Sequence, residues 1–189
     1  GHIELQVPGH HNLLNAAGVL ATGLKLGFAP AELLTGLGNF RGTGRRFEVK
    51  GTVHGIRVID DYGHHPTEIH VTLEAARRFA DAGRLIVIFQ PHRYSRTQAF
   101  AQQFAKELDV ADRAILLEVY AASEKPIEGV NSKIITSKMS KGEYIPNFVE
   151  VTDSVIADAQ PGDVIMTLGA GDVSSLAPII VEGLTRRFA

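Results

Sequence analysis

The chain has 189 residues, enough for one domain and part of a second at about 150 residues per domain, so it could be a piece of a larger protein. Hydrophobic residues make up 44% and charged residues 21% of the sequence, which excludes a disordered tail and supports a sizeable core. A formal charge of −2 argues against a dedicated nucleic-acid binder, and the absence of cysteine excludes disulfides, thiolate metal sites and cysteine nucleophiles. With no signal peptide and no apolar run of about 18 residues, we expect a cytoplasmic protein without membrane contact.

Two helices are predicted at the start of the chain. Apolar residues from Leu13 to Leu24 recur at helical spacing, and Gly27 follows them as a stop. Pro30 suits the first turn of a second, shorter helix. Two helices cannot form a domain alone, so we place a domain boundary near residue 45, between a helical segment (1–45) and a main domain (46–189). Because the apolar face of this segment lacks a partner in the chain, we expect it to be loosely tied and to self-associate.

Beyond residue 45, short apolar β-branched runs alternate with amphipathic stretches. This alternation is typical of an α/β fold with a mostly parallel sheet and helices on both faces. Strands are predicted at 47–53, 56–59, 85–89, 114–117 and 164–168, with an edge strand near 148–151. Helices are predicted from about Pro66, from about Arg96, around 133–140 and after the last strand.

Polar clusters follow four of these strands. In an open parallel sheet the loops that leave the strands emerge at one edge, and ligands bind there. We therefore expect one site built from the loops at 60–66, 90–97, 118–124 and 169–172.

The 90–97 loop is suited to binding an anion. Ser95 and Gln98 have the spacing of a capping box, which predicts Arg96 in the first turn of a helix with a partly positive N-terminus. Arg93 and Arg96 offer paired donors to a carboxylate or phosphate, and His92 adds a donor that titrates near neutral pH. The alternative is an arginine pair that makes ordinary surface ion pairs.

The 60–66 loop carries two carboxylates and two imidazoles. Asp60 and Asp61 follow the strand, a position that suits the binding of a ribose hydroxyl or a metal, and Pro66 predicts a helix that His64 and His65 approach. A zinc site is rejected, because adjacent side chains on a loop usually diverge and no further ligand spacing completes a site. We expect no metal bound by this chain.

Gly169-Ala170-Gly171 resembles the opening of a dinucleotide fingerprint but lacks the third glycine. We interpret it as a tight strand-to-helix turn with Asp172 as a cap. The chain has no G-x-x-x-x-G-K-[ST] motif, so any triphosphate cradle lies elsewhere.

Two further groups stay open on spacing alone. Asn12 could be an N-cap or, with Asn15, could pair with a purine edge. Arg45 and Arg46 could form an interdomain ion pair or a phosphate clamp.

Taken together, five strings resemble the Mur ligase family. The strings are GHHNLLN (9–15), RRF (45–47), DDYGHHPTE (60–68), FQPHRYSRT (89–97) and GAGD (169–172). They occur in the family's order, the match extends over nearly the whole chain, and FQPHRYSRT is the most specific of the five. Such ligases have an N-terminal UDP-binding domain, a central P-loop ATPase domain and a Rossmann-like C-terminal domain. The resemblance implies that residues 1–45 are the helical tail of the central ATP-binding domain and that residues 46–189 are the C-terminal domain.

The resemblance also implies an activity, that of an ATP-dependent amide ligase of peptidoglycan synthesis, and hence a role in cell shape and division. Such an enzyme joins L-alanine to UDP-N-acetylmuramate through an acyl phosphate, with ATP and Mg²⁺. Since the P-loop, the metal ligands and the UDP pocket belong to the N-terminal and central domains, the isolated chain is expected to be inactive.

Residue roles follow from the same resemblance. Asn12 and Asn15 would contact adenine, Arg46 the nucleotide phosphates and Asp61 the ribose. The residues that would face the alanine and the reacting carboxyl group are Tyr62, His64, His92, Arg93 and Arg96, and of these the last four would be catalytic.

Two alternatives remain beside this interpretation. A murein tripeptide ligase of the same family shares the D-D-x-x-H-H-P loop but differs in the loop at 90–97. A non-catalytic module that binds a nucleotide or a phosphate would use the same arginines without a reaction.

Overall fold

The computed structural model describes residues 2–7 and 9–189 and contains a six-stranded sheet with helices on both faces. Its strands are β1 Glu48–Val53, β2 Ile56–Asp61, β3 Leu85–Phe89, β4 Arg113–Leu116, β5 Gly142–Tyr144 and β6 Val164–Leu168. Its helices are α1 His10–Lys25, α2 Pro30–Asn39, α3 Pro66–Ala80, α4 Tyr94–Leu108, α5 Lys133–Thr136, α6 Phe148–Asp158 and α7 Leu176–Arg187, the last preceded by a 3₁₀ turn, Asp172–Ser175.

The strand order across the sheet is β1-β2-β6-β3-β4-β5. Strand β1 pairs antiparallel with β2 through a tight turn, and every other pair is parallel. The predicted fold class, a mostly parallel sheet within an α/β fold, is therefore confirmed.

The core lies in two layers because successive strand side chains point to opposite faces. In β3, Val87 and Phe89 face α3 and α4, whereas Ile86 and Ile88 face α6 and α7. All five residues of β3 are buried, as expected for a central parallel strand that is covered on both sides.

Helices α1 and α2 pack against each other, and only Gly23 of the two is buried. A Cβ atom at Gly23 would lie 2.5 Å from a Leu33 methyl carbon, so the absence of a side chain there lets the helices approach. Much of their apolar surface remains exposed, including Leu13, Leu14 and Val19.

One predicted element is wrong, and the bounds of several others differ from the structure. The edge strand expected near 148–151 is wrong: these residues begin α6, and the edge strand is β5. The Asn147 side chain accepts hydrogen bonds from the Val149 and Glu150 amides, and this N-cap favours a helix over the strand that the β-branched residues suggested. Strand β2 extends to Asp61, and α5 ends at Thr136.

Within residues 2–7 and 9–189, no helix combines the length and the apolar character that crossing a bilayer requires.

Candidate functional site

The strand register brings the polar loops to one edge of the sheet. Asp61 and Phe89 both pair with Leu168, and Phe89 also pairs with Leu116, so four strands end at the same level. The loops that leave them start at Tyr62, Gln90, Leu117 and Gly169. The four polar clusters predicted from the sequence are therefore neighbours.

Asp60 and Asp61 lie at the end of β2 and are both buried. The Asp60 carboxylate accepts hydrogen bonds from Thr167 Oγ1 at 2.7 Å and Arg45 Nε at 3.2 Å. The Asp61 carboxylate accepts from the amides of Phe47 and Gly63, each at 2.8 Å. Asp61 thus fixes the backbone around the site, and Asp60 holds the side chains of Thr167 and Arg45.

The pKa of Asp61 is raised above its ordinary value. Burial is the main cause, and the hydrogen bonds from Gly63, Phe47 and Thr72, together with the charge of Arg46, oppose it only in part. A further cation or hydrogen-bond donor that approaches Asp61 would therefore stabilise its charged form.

Arg45 joins the segment before β1 to the sheet edge. Its guanidinium donates to the Gly169 carbonyl oxygen at 2.6 Å and to Asp60, and its carbonyl accepts from the Tyr62 amide at 2.8 Å. Of the two arginines left open by the sequence, Arg45 is the one held in an ion pair, which leaves Arg46 to line the cavity described below.

His64 and His65 diverge, as expected for neighbours on a loop. His65 is the N-cap of α3: its Nδ1 accepts from the Thr67 amide at 3.3 Å, while Glu68 accepts from the His65 amide at 3.1 Å. His64 faces the site, and its Nδ1 lies 3.0 Å from the Tyr62 carbonyl oxygen and 3.4 Å from Glu68 Oε2. Burial alone would raise the pKa of Glu68, but hydrogen bonds from the two histidine amides and the charge of His64 lower it.

Four rings form a continuous row across the sheet edge. Tyr62 meets His64 edge to face at 5.2 Å, His64 lies 5.7 Å from His92, and His92 stacks on Tyr120 at 5.6 Å and 17°. Tyr62, His64 and His92, all predicted to face the substrate, are thus brought together. Tyr120 was not predicted as a site residue.

His92 also contacts Arg96, whose Nη1 donates to His92 Nδ1 at 3.2 Å. Burial, followed by the positive charges of Arg96, His64 and Arg93, lowers the pKa of His92 below its ordinary value of 6.5, against a smaller opposing effect of Glu124. The imidazole is therefore held neutral, with Nδ1 as an acceptor for the arginine.

Arg93 precedes the first turn of α4, and Arg96 lies within that turn, as predicted. The prediction of a capping box formed by Ser95 and Gln98 is wrong, because Ser95 already lies inside the helix and the N-cap residue is Arg93. Its hydroxyl donates to Glu124 at 2.6 Å and its amide donates to the same carboxylate at 3.0 Å. The cap thus comes from a distant loop.

The turn at Gly169 and Gly171 is tight, as predicted. A Cβ atom at Gly171 would clash with Gln90 Oε1 and would lie 2.8 Å from Cγ of Tyr120, so only glycine fits there. Asp172 does not act as the expected cap: its carboxylate accepts from Gln90 Nε2 at 2.7 Å. Gln90, which sequence reasoning did not single out, joins two of the site's loops.

A cavity of about 730 Å³ opens beside this edge, between the helical segment and the sheet. Asn12, Asn15, Arg46 and Asp61, the four residues expected to contact a nucleotide, all line it. Asn12 lies within the first turn of α1, whose N-cap is Gly9, so the capping role left open for Asn12 does not apply. The rest of the wall is mostly apolar and includes Leu5, Val7, Ala16, Val19, Leu33, Leu37 and Phe40. An apolar cleft with a few convergent polar groups suits a planar base and its sugar.

Arg46 connects this cavity to the row of rings, since its guanidinium carbon lies 5.8 Å from the centre of the Tyr62 ring. The arrangement therefore offers a pocket for a nucleoside next to a cationic, imidazole-lined surface for an anion. Across the described part of the chain, no three His, Asp or Glu side chains come together in a way that could hold a metal ion.

Comparison with known proteins gives a consistent result. Residues 45–171 match the sequence model of the Mur ligase family, glutamate ligase domain. The chain is 50% identical over 182 residues to a UDP-N-acetylmuramate–L-alanine ligase of Paenarthrobacter aurescens, covering 96% of this chain and 40% of that protein. It is 47% identical over 189 residues to the enzyme of the same name from Mycobacterium marinum, covering 98% of this chain and 39% of that protein.

A crystal structure of a UDP-N-acetylmuramate–alanine ligase from Thermotoga maritima superposes with a TM-score of 0.82 at 32% identity. The match covers 98% of this chain and 40% of that one. The chain thus spans about 40% of the length of the relatives it matches.

Proposed function

Because the chain belongs to the Mur ligase family, we propose that it is the C-terminal part of an ATP-dependent ligase that joins L-alanine to UDP-N-acetylmuramate. The high identity to two ligases of that name supports this substrate pair. ATP and UDP-N-acetylmuramate are cytoplasmic metabolites, so the proposal also places the enzyme in the cytoplasm.

One observation carries the proposal: the residues expected at the nucleotide line one cavity, and those expected at the amino acid form a second cluster beside it. The apolar wall would hold adenine, Asn12 and Asn15 would supply amide groups to its polar edge, and Asp61 would accept from a ribose hydroxyl. Arg46, at the junction of the two clusters, would bind a phosphate.

The second cluster would bind the anionic groups of the reaction. Arg93 and Arg96 would hold carboxylate or phosphoryl oxygens, and the neutral His92 would orient Arg96 through the hydrogen bond at Nδ1. Tyr62 and His64 would complete the wall toward the nucleotide. These side chains act by positioning and charge stabilisation, because ATP supplies the activation of the carboxylate.

Among the described residues, no group of three or more His, Asp or Glu side chains lies close enough together to hold a metal ion. We propose that the metal and the triphosphate are bound by the central domain, and the uridine nucleotide by the N-terminal domain.

The assignment of the nucleotide to the cavity and of the amino acid to the second cluster can be tested by kinetics. In the whole ligase, Arg46→Ala should raise the KM for ATP about tenfold or more, because a charge-assisted contact is lost, and should leave the KM for L-alanine nearly unchanged. The matched control is Arg41→Ala, which removes an exposed arginine from the same segment but outside the cavity.

Equal effects of the two substitutions on ATP would contradict the nucleotide assignment. The same assay separates the family alternatives, because a murein tripeptide ligase would use a tripeptide acceptor in place of L-alanine. A module that binds a nucleotide without catalysis would give no turnover with either acceptor.

A further inference from the structure

The loop at residues 120–124 has no role in the proposed function, yet it contacts the start of α4 at two points. It follows β4 and runs alongside His92–Ser95, the residues that carry Arg93 and lead to Arg96. We refer to residues 120–124 as the clamp loop.

Tyr120 makes the first contact through its backbone and its ring. Its amide donates to the Pro91 carbonyl oxygen, and its own carbonyl accepts from the Arg93 amide, both at 2.8 Å. These bonds form a short parallel bridge that fixes His92 between them, and the Tyr120 ring stacks on the imidazole.

Glu124 makes the second contact. Its two carboxylate oxygens accept from the amide and the hydroxyl of Ser95. Helix α4 has no capping side chain of its own, because its N-cap residue is Arg93 with φ at 75°. A carboxylate 29 residues further along the chain therefore occupies the helix N-terminus.

The clamp loop holds this position at a conformational cost. Ala122 and Ser123 both have positive φ, 48° and 72°, which side chains other than glycine rarely adopt. A hydrogen bond from the Glu124 amide to the Ala121 carbonyl, 3.0 Å long, closes the turn. Strain of this kind persists only where surrounding contacts impose it, and it is frequent at functional sites.

We propose that the clamp loop positions the anion-binding arginines, and that Glu124 closes the N-terminus of α4 so that the substrate's anion is directed to Arg93 and Arg96. The anion is the carboxylate or phosphoryl group of the reaction, so this inference rests on the proposed function. An open helix N-terminus attracts anions and would compete with the two guanidinium groups. Glu124 touches Ser95 and not the reacting atoms, so it is a positioning residue.

The first test uses the 189-residue chain and does not depend on catalysis. In Glu124→Ala, amide exchange at Ser95 should accelerate about fivefold, the effect of losing one N-cap. Inorganic phosphate should then shift the Ser95 amide resonance. Neither effect should occur in Glu128→Ala, which removes an exposed carboxylate from the same connection between β4 and α5.

The second test uses the whole ligase. Glu124→Ala should lower kcat/KM for L-alanine about tenfold while the KM for ATP stays unchanged, because only the arginine pair loses its support. The melting temperature should fall by only about 2–4 °C, the cost of one lost N-cap. Glu124→Gln should recover part of the loss, since the amide oxygen still accepts one bond from Ser95.

Two results would contradict the proposed role of Glu124. The first is a Ser95 amide whose exchange rate and response to phosphate are the same in Glu124→Ala as in Glu128→Ala. The second is a Glu124→Ala ligase in which the KM values for ATP and for L-alanine rise together. A wild-type enzyme without alanine-dependent turnover would instead refute the proposed function. In that case the exchange and phosphate measurements still decide whether Glu124 closes the helix.

Discussion

At the scale of single residues, the site depends on which partner each polar group finds. Ser95 has the spacing of a capping box, but its hydroxyl donates to Glu124 instead. Asp172 has the position of a helix cap, but its carboxylate accepts from Gln90. These partners lie 29 and 82 residues away, so local spacing could not reveal them. The two arginines next to the helix start were recognisable because their grouping is itself local.

Those arginines give the first prediction. In the whole ligase, Arg93→Ala or Arg96→Ala should lower kcat/KM by about 10²-fold or more, because each removes a charge-assisted contact in the site. Thermal stability should barely change, since neither side chain belongs to either core layer. Near-normal kinetics with a sharply lower melting temperature would mean that the arginines are structural.

His92 gives a second prediction, which concerns pH. Burial and the neighbouring positive charges lower its pKa, so its titration by NMR should have a midpoint below 6.5, and Arg96→Gln should raise that midpoint. Below about pH 6.5, His92 binds a proton more readily in the unfolded chain than in the folded one. The contribution of His92 to the free energy of unfolding therefore decreases as the pH falls below this value. A midpoint at or above 6.5, or one that Arg96→Gln does not move, would contradict the geometry around His92.

At the scale of elements, hydrophobic patterning predicted the central strands β3 and β6 to the residue, because a buried parallel strand is a short, nearly continuous apolar run. It failed at 148–151, where β-branched residues favoured a strand but the Asn147 side chain starts a helix. The place of β6 between β2 and β3 was not predictable, since strand order depends on long-range packing rather than on local pattern.

The helical segment gives a third prediction. Leu13, Leu14 and Leu24 remain exposed on α1, and burying such a side chain contributes about 1.5–3 kcal/mol, so the 189-residue chain should self-associate through this face. Light scattering should show a larger species for the chain than for a shortened chain beginning at Gly44, which keeps the bonds of Arg45.

If both chains are monomeric and the deletion lowers the melting temperature sharply, α1 and α2 belong to the main core. The domain boundary near residue 45 would then be wrong. In the whole ligase we expect the central domain to cover the same face.

At the scale of the whole molecule, the helical segment and the sheet edge together form the cavity in which we propose that the nucleotide binds, and the sheet edge alone carries the cationic cluster. Asn12 and Asp61 lie on opposite sides of the predicted boundary yet line the same cavity. The residues themselves suggested a purine edge for Asn12 and a ribose hydroxyl for Asp61, but only the family resemblance assigned both residues to one nucleotide, because no local pattern relates positions so far apart. The function we propose therefore needs the segment and the main domain to keep this relative placement.

Release of phosphate from ATP, measured with and without each substrate, tests the proposed function most directly. We predict that the whole ligase releases phosphate only when UDP-N-acetylmuramate and L-alanine are both present. The 189-residue chain alone should release none, because it contains no P-loop motif. Turnover by the 189-residue chain alone, or turnover by the whole ligase that does not require L-alanine, would contradict the proposed function.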